Sequence, residues 1–463
     1  MAETQQYDAI IIGAGQAGEP LAMTLARAGW QVALVEAKHV GGSCINVGCT
    51  PTKTMVASAK VAYLARRAAE YGVQTGPVQV DMTIVRQRKR DIVENYRSSH
   101  DKRLEKQSNL DLLMGRARFS GHKTVEVTLN DTGERRHLTA EHIFINTGQR
   151  PSMPPIEGLD RVPVLDSTSI MELDEVPEHL IVLGGGYVGL EFGQMFRRFG
   201  SAVTIIQRGS HLLSREDDDV ADAVAEILRE DGIEVVLNAT VTCVEQVDGR
   251  PHVYYQVEGR EQSVTGSHVL VAVGRTPNTD DLNLEATGLK TDEKGYIPTD
   301  NRLETGVQGI YALGDVRNGP AFTHISYDDF RILRDNLLHG GSASVENRLV
   351  PYCVYIDPEL GRVGLTEKQA REQGLNVEVT RLPMRYVSRA VEKGESRGFM
   401  KAVVDADTHQ ILGCAILGIE GGELMSMVSI AMMGHLPAST LYNAIFAHPT
   451  LAESLNNLFA PGG

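Results

Sequence analysis

Cys44 and Cys49 stand five residues apart in the segment Gly41-Gly42-Ser43-Cys44-Ile45-Asn46-Val47-Gly48-Cys49-Thr50-Pro51-Thr52-Lys53. In a regular helix that spacing would put their Cα atoms roughly 8 Å apart, a little beyond the about 7 Å that a disulfide tolerates. Gly48 permits the distortion that closes the gap, and Pro51 suits a first helical turn. A cysteine at a helix N-terminus has a lowered pKa and more thiolate, which thiol–disulfide exchange requires. Metal binding competes with the redox reading, but no other Cys or His lies at ligand spacing. No metal site is expected. The remaining cysteines, Cys243, Cys353 and Cys414, read as inert core or strand residues.

A dithiol needs a source of electrons, and the elements around it supply a candidate. Tyr7–Ile12 reads as a buried strand, Gly18–Ala28 as a helix and Gln31–Glu36 as a second strand, with Gly13, Gly15 and Gly18 in the turn. In such a unit the first glycine makes the tight turn and the second lets the backbone approach a pyrophosphate. The third lets the helix pack on the strand, and its N-terminus faces the anion. The pattern recurs: Gly184, Gly186 and Gly189 lie 171 residues further on, between the strand His179–Leu183 and the helix Gly189–Phe199, with Ala202–Ile206 next. One glycine turn could be an ordinary strand–helix corner; two with matching flanks predict two Rossmann-type dinucleotide-binding domains.

The end of each second strand refines the ligand. Glu36 is an acid suited to a ribose diol. The equivalent position holds Gln207, followed by Arg208, so the carboxylate that would repel a 2′-phosphate is absent and a cation is present. Against this, Gly189 in the third glycine slot is the commoner choice for NAD, and Arg208 has an alternative reading as a solvated surface charge. The balance favours NADPH over NADH.

Between these units, a helix is predicted from Cys49 to about Glu70, and a long charged surface helix over Asp81–Lys106. Strands are predicted at Leu110–Phe119, Thr124–Leu129 and Glu134–Thr139, and a structureless linker at Arg150–Pro155. The chain's 463 residues exceed one hydrophobic core. Its net charge of −15 argues against nucleic acid and anionic membrane surfaces. The polar start Met1–Tyr7 is no secretory signal, no apolar run reaches the ~18 residues of a spanning helix, and five cysteines form no disulfide scaffold. A cytoplasmic enzyme is the expectation.

The cysteine segment resembles the redox-active helix of the pyridine nucleotide–disulfide oxidoreductases, the family of dihydrolipoamide dehydrogenase, glutathione reductase and mercuric reductase. The resemblance runs along the whole chain in the family's order. It continues through Gly115-Arg116-Ala117-Arg118-Phe119 and Asn146-Thr147-Gly148-Gln149-Arg150-Pro151, where Asn146 replaces the usual Ala. It then passes through Gly184–Glu191, Gly274-Arg275-Thr276-Pro277-Asn278 and Ile310–Asp315 to Ala447-His448-Pro449-Thr450-Leu451-Ala452-Glu453.

The resemblance implies an α/β fold: an FAD-binding domain over 1–150, an NAD(P)-binding domain over 151–273, a central domain over 274–348 completing the FAD site, and an α+β dimerisation domain over 349–463. It implies FAD held by Gly13, Gly15, Gly18, Glu36, Gly42, Lys53, Ala117, Thr147, Gly148 and Asp315, the last on the ribityl chain. NADPH or NADH would be held by Gly184, Gly186, Gly189, Gln207, Arg208 and Gly274. Cys49 would be the flavin-side thiolate and Cys44 the interchange thiol. Lys53 and Glu191 would pair beside the flavin ring, and Tyr187 would cover the nicotinamide pocket. His448, oriented by Glu453, would be the acid–base, reaching the cysteines from the other subunit of a homodimer.

The reaction implied is reduction of a small-molecule or protein disulfide by NAD(P)H through FAD and the Cys44–Cys49 disulfide. No cysteine follows Cys414, unlike the C-terminal pair of mercuric reductases, although Gly15–Pro20, Gln207-Arg208 and Phe322-Thr323-His324 are similar in texture to their relatives. Met23-Thr24 occupies the place of the glutathione-binding arginines. A dihydrolipoamide dehydrogenase and a metal-ion or oxidant reductase are the alternatives.

Overall fold

The computed structural model describes residues 4–461, which form two compact units. The first comprises Met1–Thr54, Arg86–Ser152 and Arg275–Arg348; the second comprises Met55–Val85, Met153–Gly274 and Leu349–Gly463.

The first unit is built on a parallel sheet in which Thr4–Ile12 lies between Val32–Glu36 and Arg135–Ile145. Leu110–Gly121 joins beyond Val32–Glu36, and Ile310–Ala312 beyond Arg135–Ile145. Ala9, Ile10, Ile11 and Ile12 are all buried, as a continuous apolar run must be when a sheet is covered on both faces. Leu110–Gly121 and Arg135–Ile145 are long because each also pairs at one end with Thr124–Leu129 in an antiparallel meander. Tertiary pairing also decides where they stop. The strand predicted to end at Thr139 continues to Ile145 because Ile143, Phe144 and Ile145 have partners on both sides. The linker predicted over Arg150–Pro155 begins inside a short strand, Gln149–Pro151, paired with Arg275–Pro277, and residues distant in sequence supply its ladder.

The second unit holds the parallel sheet His268–Val271, His179–Leu183, Ala202–Ile206 and Glu234–Val236, in that order, and an antiparallel sheet of Ala239–Val247, Arg250–Val257 and Arg260–Thr265. Its C-terminal part is a five-stranded antiparallel sheet ordered Tyr352–Val354, Glu359–Gly364, Ile411–Gly418, Phe399–Asp405 and Val377–Pro383, with the helix Gly421–Met433 packed on it. The fold is thus two Rossmann-type dinucleotide-binding units and a separate C-terminal α+β domain. No helix among the described residues is long and apolar enough to cross a membrane.

Candidate active site

The two glycine turns are built alike. A Cβ on Gly18 would lie 2.1 Å from the Gly13 carbonyl oxygen, and one on Gly189 would lie 2.3 Å from that of Gly184. In both, helix and strand approach too closely for any side chain. The equivalent polar residues also act alike. Glu36 Oε2 accepts from Ala14 N at 2.9 Å, and Gln207 Oε1 accepts from Gly185 N at 3.0 Å. Glu36 Oε1 accepts from Lys38 N at 2.8 Å, and Gln207 Nε2 donates to the His211 carbonyl at 3.2 Å. Glu36 Oε1 also accepts from His39 N at 3.3 Å, and Oε2 keeps a lone pair for a ribose hydroxyl. Arg208 is exposed, with no hydrogen bond or ion pair among the described residues.

The cysteine segment begins against the first turn. Gly41 N donates to the Ala14 carbonyl at 2.8 Å. Gly42 has φ +63°, and a Cβ there would sit 2.7 Å from Gly15 Cα. Glycine is required on both counts. The two cysteines do not share one helix: Cys44 lies in the short helix Gly42–Asn46, and Cys49 opens the helix Cys49–Arg66. Gly48 sits at the break, where a Cβ would meet the Ser43 carbonyl oxygen at 2.8 Å and Cys44 Cα at 3.4 Å. That break brings the thiols together. Cys44 hydrogen-bonds to Cys49, and Thr323 Oγ1, at the start of the helix Thr323–Leu338, lies 3.3 Å from Cys49 Sγ. The bond to Cys49, followed by burial, pushes the Cys44 thiol well above its ordinary range; Thr323 and the Lys53 charge oppose this. Cys44 is half-buried and Cys49 exposed. Cys243 and Cys353 lie half-buried in strands and Cys414 is fully buried.

Asp315 lies on the turn after the strand Ile310–Ala312. Burial raises its carboxyl pKa, with Arg275 and Ser326 pulling the other way. Its carboxylate accepts one hydrogen bond among the described residues, a long contact from Ser326 Oγ at 3.5 Å, so acceptor capacity remains for a cofactor hydroxyl. Together with Glu36 and the Gly15–Gly42 approach, this donor and acceptor set fits a flavin dinucleotide. The turn itself is held from below. The fully buried Asp329 accepts from Gly314 N at 2.9 Å, from Arg317 Nε at 3.0 Å and from Arg348 Nη1 at 2.7 Å. Thr147 and Gly148 are tied to Asn278: Thr147 Oγ1 donates to its carbonyl, and Asn278 N donates to that of Gly148. Ala117 is half-buried in the strand facing Val127. Sequence reasoning missed Asp329, Arg317, Arg348 and Thr323 as supports of the site; nothing in their local spacing distinguishes them from ordinary helix and loop residues.

In the second unit, Tyr187 begins the helix Tyr187–Phe199 and is 38% exposed, while Gly274 stands at the unit's edge with φ +143°. Glu191 is buried on that helix, with Oε1 accepting from Tyr355 N at 2.9 Å. Glu453 accepts from His448 Nδ1 at 2.9 Å, which leaves Nε2 of an imidazole that is 74% exposed. Lys53 and Glu191 belong to different units, as do the cysteines and His448. No group of three or more His, Cys, Asp or Glu residues that could hold a metal ion is present among the described residues.

This arrangement has relatives. The family described as pyridine nucleotide-disulphide oxidoreductase matches residues 7–329, and its dimerisation domain matches residues 350–459. The chain is 41% identical over 459 residues to the probable pyridine nucleotide-disulfide oxidoreductase RclA of Escherichia coli, covering 98% of this chain and 99% of that protein. It is 36% identical to a mercuric reductase of Staphylococcus aureus, covering 97% of this chain and 81% of the relative. For a dihydrolipoyl dehydrogenase of Geobacillus stearothermophilus the values are 32%, 97% and 94%. Among solved structures, the Cu(II) complex of the HOCl-induced flavoprotein disulfide reductase RclA from Escherichia coli superposes with a TM-score of 0.90 at 40% identity, over 98% of this chain and 99% of that one.

Proposed function

The chain belongs to the pyridine nucleotide-disulphide oxidoreductases, and from that premise we propose that Cys44 and Cys49 are its working dithiol, Cys49 on the flavin side and Cys44 on the substrate side. The protein is an FAD-dependent disulfide reductase, a homodimer that takes electrons from NAD(P)H. We assign FAD to residues 1–150 completed by 274–348, the nicotinamide nucleotide to 151–273 and dimerisation to 349–463. FAD held there would supply the two-electron chemistry that links the nicotinamide nucleotide to the cysteines.

The observation that carries the assignment is the cluster of Cys44, Cys49 and Thr323 in the unit that also holds the first glycine turn. With Cys44 holding the proton, the negative charge rests on Cys49 beside the Thr323 hydroxyl. His448, oriented by Glu453 and supplied by the other subunit, takes the Cys44 proton. The Cys44 thiolate attacks the substrate disulfide, forming a mixed disulfide and expelling one thiolate, to which His448 returns the proton. The Cys49 thiolate then attacks Cys44 Sγ, which restores the Cys44–Cys49 disulfide and expels the second thiolate, to be protonated from solvent. Lys53 and Glu191 set the charge beside the flavin ring, and Tyr187 covers the nicotinamide pocket. Gln207 and Arg208 favour NADPH.

The substrate is a disulfide, in an enzyme of the branch that contains RclA and the mercuric reductases. A second acceptor, Cu(II), is favoured by one observation: the E. coli relative was solved as a Cu(II) complex. Here Cu(II) would be a substrate meeting two soft thiol ligands. The test is a panel of low-molecular-weight and protein disulfides, Cu(II), Hg(II) and quinones, assayed with both nucleotides. We expect a disulfide to give the highest kcat/KM and Cys44→Ser to abolish its turnover. Cu(II) outrunning every disulfide would put the second reading first, and acceptor reduction indifferent to both cysteines would overturn the dithiol assignment.

A further inference from the structure

We propose that Asn146 is a positioning residue for FAD, clamping together the two loops assigned above to opposite parts of the cofactor; the inference rests on that assignment. Asn146 follows the strand Arg135–Ile145, and its own N–H donates to the Ile12 carbonyl at 2.8 Å. Its side chain is bidentate between distant segments. Oδ1 accepts from Gly18 N at 2.9 Å, and Nδ2 donates to the Leu313 carbonyl at 2.9 Å. Gly18 opens the helix whose N-terminus faces the pyrophosphate, and Leu313 precedes the Gly314–Asp315 turn assigned to the ribityl chain. The residue is 8% exposed, so neither bond has water as a substitute.

The surrounding glycines make room for this amide. A Cβ would lie 3.1 Å from Asn146 Oδ1 at Gly15, 2.9 Å from it at Gly18, and 2.8 Å from Nδ2 at Gly314. The Asp315 turn is thereby held at two successive residues: Asn146 grips the Leu313 carbonyl and Asp329 grips Gly314 N. An alanine, the usual residue where this segment resembles its family, makes neither side-chain bond. It would leave the first N–H of the helix without an acceptor, since helix-terminal N–H groups have no partner within the helix. An aspartate keeps the acceptor for Gly18 but loses the donor to Leu313, and it sets a negative charge where the pyrophosphate belongs. Only an amide joins the two loops without repelling the cofactor.

Binding of FAD to the full-length chain stripped of flavin, followed by quenching of flavin fluorescence, tests this. Asn146→Ala should raise the FAD Kd about tenfold or more, the effect of leaving buried partners unsatisfied. Asp315→Ala should raise it too, and the double variant should raise it by less than the product of the single effects, because Asn146 acts through the Asp315 turn. A purely structural asparagine would lower the Tm of the apoprotein and leave the two effects multiplicative. If Asn146→Ala does not fold, Asn146→Asp, which keeps the shape and the Gly18 bond, should show the weakened binding, again less than multiplicatively with Asp315→Ala. An unchanged Kd in the folded variant, or strictly multiplicative effects, overturns the inference while the FAD assignment stands. Undiminished FAD binding in Gly42→Val, which fills the approach to Gly15, overturns the assignment itself.

Discussion

At the scale of the residue, the two cysteines differ in their surroundings. Cys44 hydrogen-bonds to Cys49, and the thiol of Cys44 is pushed up by that bond and by burial, while Cys49 has the Thr323 hydroxyl 3.3 Å away. The proposed roles put the thiolate on Cys49 and the interchange thiol on Cys44. Two-electron reduction should therefore give a long-wavelength thiolate-to-flavin absorption band that is lost in Cys49→Ser and persists in Cys44→Ser. The reverse pattern would exchange the two roles. Loss of the Thr323 hydroxyl, in Thr323→Val, should weaken the band in neutral buffer, because the thiolate loses a donor.

At the scale of the element, the strand–turn–helix unit appears twice and differs at its ribose end. Glu36 and Gln207 brace their glycine turns through equivalent bonds, so the change from carboxylate to amide leaves the geometry intact and removes a charge. Arg208 is exposed beside it. A guanidinium on a 2′-phosphate is a charge-assisted contact worth on the order of 1.5–3 kcal/mol, or roughly a 10- to 150-fold preference. We expect a higher kcat/KM for NADPH than for NADH, and loss of that advantage in the double variant Gln207→Glu/Arg208→Ala. A tenfold preference for NADH in the wild type would mean that Arg208 points away from the ribose.

At the scale of the whole molecule, chain connectivity does not respect the order of the segments, and buried ion pairs bind distant parts of the second unit. Asp357 meets Lys60 at 2.6 Å and pairs with the guanidinium of Arg198, so one carboxylate joins three stretches of sequence. Burial alone would raise its pKa, but the Arg198 and Lys60 charges outweigh it and hold the carboxyl below its ordinary 3.8. A depressed pKa contributes stability above the unfolded-state value that is lost as the pH falls through the folded one. Asp357→Asn would leave the buried Arg198 with only Asp231, 3.5 Å away, as counter-charge, a loss of up to about 3 kcal/mol. The drop in apparent Tm should be largest near neutral pH and should shrink below about pH 4. At the level of the dimer, mixing inactive Cys44→Ser and His448→Ala subunits should regain activity, since a hybrid contains one site with both residues. Hybrids that are shown to form and stay inactive would exclude a site shared between subunits.

The amino-acid sequence by itself determined the class of the molecule. The two glycine turns, offset by 171 residues, announced two dinucleotide-binding units because each glycine answers a local steric demand that any copy of the turn must meet. The closeness of Cys44 and Cys49 was likewise legible, because Gly48 beside the second cysteine is a local device. Contacts that close over long loops were not legible. Thr323 reaches Cys49 across 274 residues, and Asn146 joins Gly18 to Leu313 across 128 and 167. The strand Arg135–Ile145 outran its alternating pattern because neighbours on both sides gave its last residues ladder partners. Local patterns encode turns, caps and periodicity, which neighbouring residues decide among themselves. Which hydroxyl or amide meets a given buried group is decided by packing, and for these residues only the tertiary structure supplied the partner.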